Sequence, residues 1–486
     1  MERILPVKET SDMVLVSYIR TIIQEGKMEE AERIFREMKF WYEGIGEQVF
    51  WSENHYIMNC SCDLLLREML GYVVGNGLYN RLTVFFLIRI KYGMAEFLSP
   101  VYLPFTIVSL LNIYDFSKNE MFKEQARLLL DRISKEILAV TLHDGSIVSP
   151  SGRSYIRHRI KTRGLHLTYF IDFLLTNRNT PTYQDIEPAL QHALSTTTYR
   201  PSIEIYQYFN ITDTTDITLK LSPSINDIFD TFSHIDSIIL TDDILVTTLW
   251  SYGLYIPYMN NEWMKKILDM MDKYKLWRHP HFKSLGWLRK CLGRNGMYYF
   301  VKMIGKIGIV KSYIDGLALT DATLYVHREG NVVMSSLIGY HEGLPALQQW
   351  TFAINLNGIP IWSSLGNSGS VCCIKRLGNQ EANKEMTTSL VMPTIIQEGN
   401  HTHLTFYIKN FFRRLYYSST QLTIHFPFHY FDEHGVFQNN WVWARKGDVV
   451  VAYLLHNTRN QIEFVVRDLA LHHLPLTEFL NTLIGT

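Results

Sequence analysis

Cysteine is scarce and net charge is absent, and each lack removes a class of function. Five cysteines occur in 486 residues, Cys60, Cys62, Cys291, Cys372 and Cys373. Their number is odd and they form no repeated CxxC pattern, so neither a disulfide framework nor a cysteine-built zinc site is expected. Lysine and arginine total 47, as do aspartate and glutamate, and no long run of one sign occurs. Global charge therefore gives no reason to expect nucleic acid or an anionic membrane as a partner. Long hydrophobic runs are missing too. The strongest, around 82–90, is too short to span a bilayer and is followed by charge. The N-terminal residues lack the apolar core of a signal peptide, so the default expectation is a cytoplasmic protein. No P-loop, dinucleotide fingerprint, internal repeat or low-complexity tract is found. Three glycosylation sequons, at Asn59, Asn210 and Asn400, are close to the number expected by chance.

What is present is the pattern of a folded chain in two parts. Hydrophobic residues make up 47% and aromatics 13%, and the length exceeds one ordinary core, so two large domains are expected. Apolar residues recur with helical spacing at 11–23, 27–42, 55–74, 81–97, 102–114 and 120–140. Further helical segments are predicted at 163–176, 185–195, 224–234, 261–274 and 296–310. The pattern changes near residue 314. Segments 320–327 and 332–340 alternate and are joined by Glu329-Gly330-Asn331, a hairpin signal. Strand-like runs recur at 350–356, 359–364, 402–408, 421–426, 441–445, 449–456 and 462–466. The expectation is an α+β multidomain chain, with a helical domain over 1–312 and an antiparallel sandwich over 313–486.

Two polar clusters carry the chemistry. Trp51-Ser52-Glu53-Asn54-His55-Tyr56 opens an apolar helix and gathers a carboxylate, an amide, an imidazole and a phenol within about one to two turns. Ser151-Gly152-Arg153-Ser154-Tyr155-Ile156-Arg157-His158-Arg159 follows roughly a hundred residues later. Together they hold an amide, candidate bases, a phenol and guanidiniums, a set suited to an acidic sugar. Each residue also has a structural reading. Asn54 fits a helix N-cap, His55 a core histidine, and Glu53 a first-turn carboxylate facing the helix dipole. Arg157, His158 and Arg159 fit a solvated loop, and Gly152 a tight turn. Metal signals are weak. His401-x-His403 puts two imidazoles on one face of a strand, a spacing that is more often incidental. His425 and His429 flank Pro427, which argues against a helix there, and His472-His473 has no carboxylate cluster in sequence. Arg445-Lys446-Gly447-Asp448 reads as a hairpin turn.

A helical half followed by a β half, with an early Asn-His pair and a later Gly-Arg-x-Tyr loop, resembles the chondroitin AC lyase and heparinase II/III type polysaccharide lyases. It resembles most a microbial group sharing that architecture. The matching segments are Trp51–His55, Leu98-Ser99-Pro100-Val101-Tyr102, 128–133, Gly152–Tyr155, 348–356 and 443–453. The resemblance covers about residues 30–470, at low identity between these islands. Two departures stand out: the 367–373 turn reads Asn-Ser-Gly-Ser-Val-Cys-Cys, and the chain ends soon after Leu474, where such sandwiches usually add strands.

The resemblance implies an incomplete α/α toroid followed by an antiparallel β-sandwich, and β-elimination of a uronate-containing polysaccharide. The proton α to the carboxylate becomes acidic once that carboxylate is neutralised, so preorganised donors are the main requirement, each worth about 3–4 kcal/mol. Asn54 matches the neutralising amide, His55 or Tyr155 the base and acid, and Arg153 the group that binds the acidic substituent. Glu53, Tyr56, Arg157 and His158 are the expected substrate contacts. The implied partner is an acidic polysaccharide or oligosaccharide. No cofactor is expected, and a structural metal ion, which some related sandwiches hold, is assigned to no residue. Two alternatives remain open. One is a carbohydrate-binding or structural protein on the same fold. The other is a toroid glycoside hydrolase, which needs two carboxylates, for which Glu53 and Asp144 are the candidates.

Overall fold

Helix ends in the first half are set by recognisable local chemistry. The Asn119 side chain accepts from the Met121 and Phe122 N–H groups and starts α6 (Glu120–Ala139), satisfying two donors that a helix start leaves unpaired. Gly71, left-handed at φ 73°, ends α3 (Glu53–Leu70) with its N–H on the Arg67 carbonyl. The computed structural model describes residues 11–38, 52–152, 162, 166–176, 188–211, 213–235, 241–253, 261–278, 283–304, 319–341, 350–362, 370–373, 392–406, 423–426, 428–456 and 460–484.

Besides α3 and α6, the described helices include α1 (Ser11–Gln24), α2 (Met28–Glu37), α4 (Asn76–Tyr92), α5 (Leu103–Phe116), α7 (His166–Thr176) and α8 (Pro188–Thr196). Helix α3 is buried around most of its circumference, polar residues such as Asn59 and Asp63 included, and α1, α2, α4 and α5 pack against it. A second group, α9 (Ile225–Ser233), α10 (Asp242–Ser251), α11 (Asn261–Lys273) and α12 (Lys283–Ile304), builds its own core around Trp250 and Met264 and meets α4 at Val84 and Ile88. Helix α12 is broken at Gly293. Among the described residues no helix is long and apolar enough to cross a membrane.

The β half contains a five-stranded antiparallel sheet in spatial order β1-β2-β3-β4-β5. These are β1 (Thr215–Lys220), β2 (Thr323–Glu329), β3 (Val332–Ile338), β4 (Phe352–Leu356) and β5 (Ile359–Trp362). The expected hairpin is there, with Glu329 opposite Val332 and Gly330 at φ 51°. Strand β1 is a departure from the sequence reading. It comes from the helical half and pairs along its full length with β2, Thr215 opposite Arg328 and Lys220 opposite Thr323. A short parallel pair joins β6 (Ser370–Cys373) to β9 (Thr423–His425).

The second sheet, in order β10-β11-β12-β13-β8-β7, has six antiparallel strands. They are β7 (Thr394–Glu398), β8 (His401–Thr405), β10 (Glu433–Phe437), β11 (Trp441–Lys446), β12 (Val449–His456) and β13 (Gln461–Asp468). Lys446 and Val449 flank the 445–448 turn, with Gly447 at φ 57°. One apolar core draws on both large sheets: Met334, Phe352 and Ile354 from the first, and Leu404, Val451, Ile462 and Phe464 from the second. A last helix, α13 (Leu476–Thr482), covers Val450, Ala452 and Val465 on the other face of the six-stranded sheet.

The halves are tied by polar contacts as well as by β1. Arg328, buried on β2, donates to the Leu138 carbonyl at the end of α6 and to that of Tyr208, as a cation suits a helix C-terminus. Burial pushes its pKa down to about 10. Asn355 on β4 donates to the Ser146 carbonyl and hydroxyl.

Candidate functional site

The first cluster forms the opening turn of α3, and its members face different surroundings. Ser52 is the N-cap residue, extended at φ −142° and ψ 157°, and its hydroxyl hydrogen-bonds the Asn54 side-chain oxygen. Asn54 is therefore not the cap that the sequence suggested. It is fully buried, its N–H lies 3.4 Å from Glu96 Oε2, and its Nδ2 finds no acceptor among the described residues. An unsatisfied buried donor of this kind costs about 1–3 kcal/mol, so it needs a reason.

Glu53 and Tyr56, expected to touch substrate, are both buried. Glu53 is sealed from solvent, with Oε2 3.2 Å from Arg89 Nε and Oε1 accepting from the Glu96 N–H at 2.6 Å. Burial raises its pKa, opposed by Arg89 and by backbone hydrogen bonds from Glu96 and Ala95. Arg89 also lies over the Phe85 and Tyr252 rings and donates to Ser251 Oγ at 2.7 Å. Tyr56 stacks on Phe85 with centroids 5.8 Å apart, and burial pushes its phenol up to about 12. Both side chains are buried, as is that of Asn54. Of the glycosidase pair, Glu53 is buried, while Asp144 is exposed and accepts from the Ser146 N–H and hydroxyl within its own turn.

His55 turns towards α1. Its Nδ1 lies 2.6 Å from Asp12 Oδ2, and Asn59 Nδ2 donates to the same oxygen at 3.1 Å. The imidazole is a quarter exposed and Asp12 is nearly buried. A carboxylate on Nδ1 fixes the orientation of the ring. Asp12 lies 43 residues before His55, and nothing in the local sequence pattern pairs them. Asn59 is itself buried, so its sequon is not a surface acceptor.

The second cluster begins against the first. Gly152 donates its N–H to the Phe97 carbonyl at 3.1 Å. A Cβ at that position would lie 2.1 Å from the Ala95 carbonyl oxygen and 3.3 Å from Glu96 Cα. On its other side Ser151 exchanges both backbone hydrogen bonds with Trp350, at 3.0 and 3.1 Å. The Ser151 hydroxyl is also buried with no partner among the described residues. Residues 93–102 thus lie between Asn54 and the Gly152 loop. In that segment Leu98 is left-handed at φ 49°, a strained conformation for a bulky residue, of the kind that clusters at functional sites. Glu96 was not foreseen from the sequence. The available signal was a lone acid in the apolar Met94–Tyr102 run. Arg153, Tyr155, Arg157 and His158 lie outside the described residues.

Elsewhere, His472, given no carboxylate by the sequence reading, has one in space. Its Nε2 lies 3.2 Å from Glu329 Oε2, which His327 and Arg467 also approach at 3.2 Å. His327 Nδ1 in turn meets Asp216 of β1 at 2.7 Å. This network, buried at His327 and Glu329 and partly exposed at Asp216, Arg467 and His472, joins β1, β2 and β13. Comparison with family models, with curated proteins and with solved structures finds no match to this chain.

Proposed function

We propose that this chain is a polysaccharide-lyase-like protein, an incomplete α/α toroid joined to a β-sandwich, that performs β-elimination on a uronate-containing polysaccharide. The observation that carries the reading is the Asn54 amide: a buried N–H donor without an acceptor among the described residues, one hydrogen bond from the loop against which Gly152 packs. A uronate carboxylate is the acceptor such a donor suits, and its neutralisation acidifies the adjacent C–H. His55, held by Asp12, removes that proton. The electron pair forms the new C=C bond as the C–O bond to the leaving sugar breaks, and Tyr155 protonates the departing oxygen. Arg153 binds the acidic group.

The test is ultraviolet absorbance of unsaturated uronate products over alginates, glycosaminoglycans and glucuronans. Wild type produces the signal; Asn54→Ala lowers the rate by about 10²–10³-fold, as for loss of one oxyanion donor, and Tyr155→Phe also falls. Activity that survives both substitutions refutes the assignment. One observation favours a second reading, a carbohydrate-binding or structural protein without turnover: Asn54 has no exposed surface. That reading expects no absorbance change on any polymer, and oligosaccharide binding indifferent to Tyr155→Phe.

A further inference from the structure

The zero net charge of the chain conceals one element of a single sign. Helix α12 carries Lys283, Arg289, Lys290, Arg294 and Lys302, and no aspartate or glutamate. It also holds three of the six most exposed large apolar side chains described: Trp287 at 69%, Tyr299 at 67% and Met303 at 60%. Such side chains scattered singly are ordinary surface. Three on one basic helix call for a partner.

Both halves of α12, before and after the break at Gly293, bury the same side. Gly286 packs so closely that a Cβ there would lie 2.5 Å from the Trp277 carbonyl oxygen. Met297 and Val301 enter the core built around Trp250 and Met264. Along α11 the contacts run antiparallel: Arg289 meets Asp272 at 2.5 Å, Arg294 meets Asp269, and Lys265 lies over the Tyr298 ring. The opposite side therefore looks away from the core in both halves. It exposes Trp287, Lys290 and Cys291 before the break, then Asn295, Tyr299 and Met303, each set at the spacing of one helix face. Asp272 and Asp269 neutralise Arg289 and Arg294. Lys290 and Lys302 form no ion pair with a described residue.

We propose that this outer side of α12 docks on the surface of an anionic lipid bilayer. The helix lies in the plane of the headgroups, with Trp287, Tyr299 and Met303 inserted between them. Indole and phenol rings suit that depth because each pairs an apolar body with a polar tip. Lys290 and Lys302 supply the attraction to anionic headgroups. An acidic polysaccharide could meet the cations and stack on the rings, but it offers no apolar phase in which to bury Met303. A bilayer takes all of these groups together. The contact is peripheral, since no described helix is long and apolar enough to cross a membrane. It is independent of Asn54 and stands whether or not the chain is a lyase.

The full chain is mixed with vesicles of phosphatidylcholine alone, or of phosphatidylcholine and phosphatidylserine in equal parts, and the bound fraction is read by flotation. Binding to the mixed vesicles is expected, weakening as salt is raised, with a blue shift of tryptophan emission that Trp287→Phe diminishes. Lys290→Gln/Lys302→Gln removes two charges near the surface and should lower the partition coefficient by about 30-fold. Trp287→Ser/Tyr299→Ser/Met303→Ser should abolish the blue shift and most of the binding. Both variants should melt as wild type does, because none of the replaced side chains is buried. Equal binding to the two kinds of vesicle, binding to neither, or binding that both variants retain would overturn the proposal. So would capture by immobilised alginate without any binding to vesicles, which would make α12 a polysaccharide surface.

Discussion

Replacing Gly152 with alanine tests whether the two polar clusters really share one wall. The added methyl would meet the Ala95 carbonyl oxygen at 2.1 Å and its carbon at 3.1 Å. Ordinary contact begins near 3.4 Å, so the backbone at 95–96 or at 151–152 has to retreat by roughly 1 Å. Neither side yields cheaply, because the Gly152 N–H is bonded to Phe97 and Ser151 is bonded twice to Trp350. Overpacking into a close-packed interior costs about 1–3 kcal/mol, and a backbone obstacle puts this case near 3 kcal/mol. If the 486 residues unfold as one unit, the unfolding entropy is about 1 kcal/mol/K, so the melting temperature falls by about 3 °C. Function should suffer more than stability. Glu96 moves with Ala95, and a misplacement of about 1 Å can cost 10²-fold in rate. The matched control is Gly77→Ala, which meets nothing within 4 Å at the exposed start of α4 and should stabilise by about 0.5–1 kcal/mol. Differential scanning calorimetry of both variants beside wild type decides it. A Gly152→Ala protein that melts and acts as wild type does would refute the shared wall.

Arg89→Met leaves the Glu53 carboxylate buried without its counter-charge and should cost about 3–5 kcal/mol in urea unfolding; the double variant Arg89→Met/Glu53→Gln should recover part of that. Burial pushes the Glu136 carboxyl up to about 7, against the pull of Arg132. The folded state therefore holds its proton longer than the unfolded chain does, and stability from this group falls as pH rises from about 4.5 to 7. Glu136→Gln should flatten the urea midpoint across that window. Glu329 has the opposite sign. Burial would raise its pKa, but hydrogen bonds from His327 and the Asp468 N–H and the charge of Arg467 hold it below the ordinary value. Its contribution is present above the unfolded pKa and lost as pH falls through the folded one, so Glu329→Gln should reduce the loss of stability on acidification.

The order of helices and strands was largely legible because it rests on local periodicity. Helices at 120–139 and 225–233 and the strand at 449–456 lie where the pattern put them. The errors have identifiable causes. Helix α4 stops at Tyr92, five residues before the apolar pattern ends, because the chain turns at Gly93 with φ 94° and Gly93 packs against the Leu221 carbonyl. Strands β1 and β7 alternate too, but their partners are elsewhere in the chain, and short alternation without a partner looks like loop. The cluster around Asn54 was visible as residue types. What each side chain meets was not, because Asp12, Arg89 and Glu96 arrive from other elements. Glu53, Asn54 and Tyr56 are all buried, and the Asn54 Nδ2 and the Tyr56 hydroxyl have no partner among the described residues.

Strand β1 makes the division near residue 312 a poor place to cut. A fragment beginning there would keep β2 but lose the strand that covers its outer edge, leaving a row of bare amides and carbonyls ready to recruit another chain. The complementary fragment would carry β1 as a loose ribbon with no sheet to join, and Arg328 would no longer hold the end of α6. Halves separated at 312 should therefore stay together through gel filtration. Co-expressed halves should find each other more readily than either dissolves alone, which makes the 312 position suited to a split-protein complementation design.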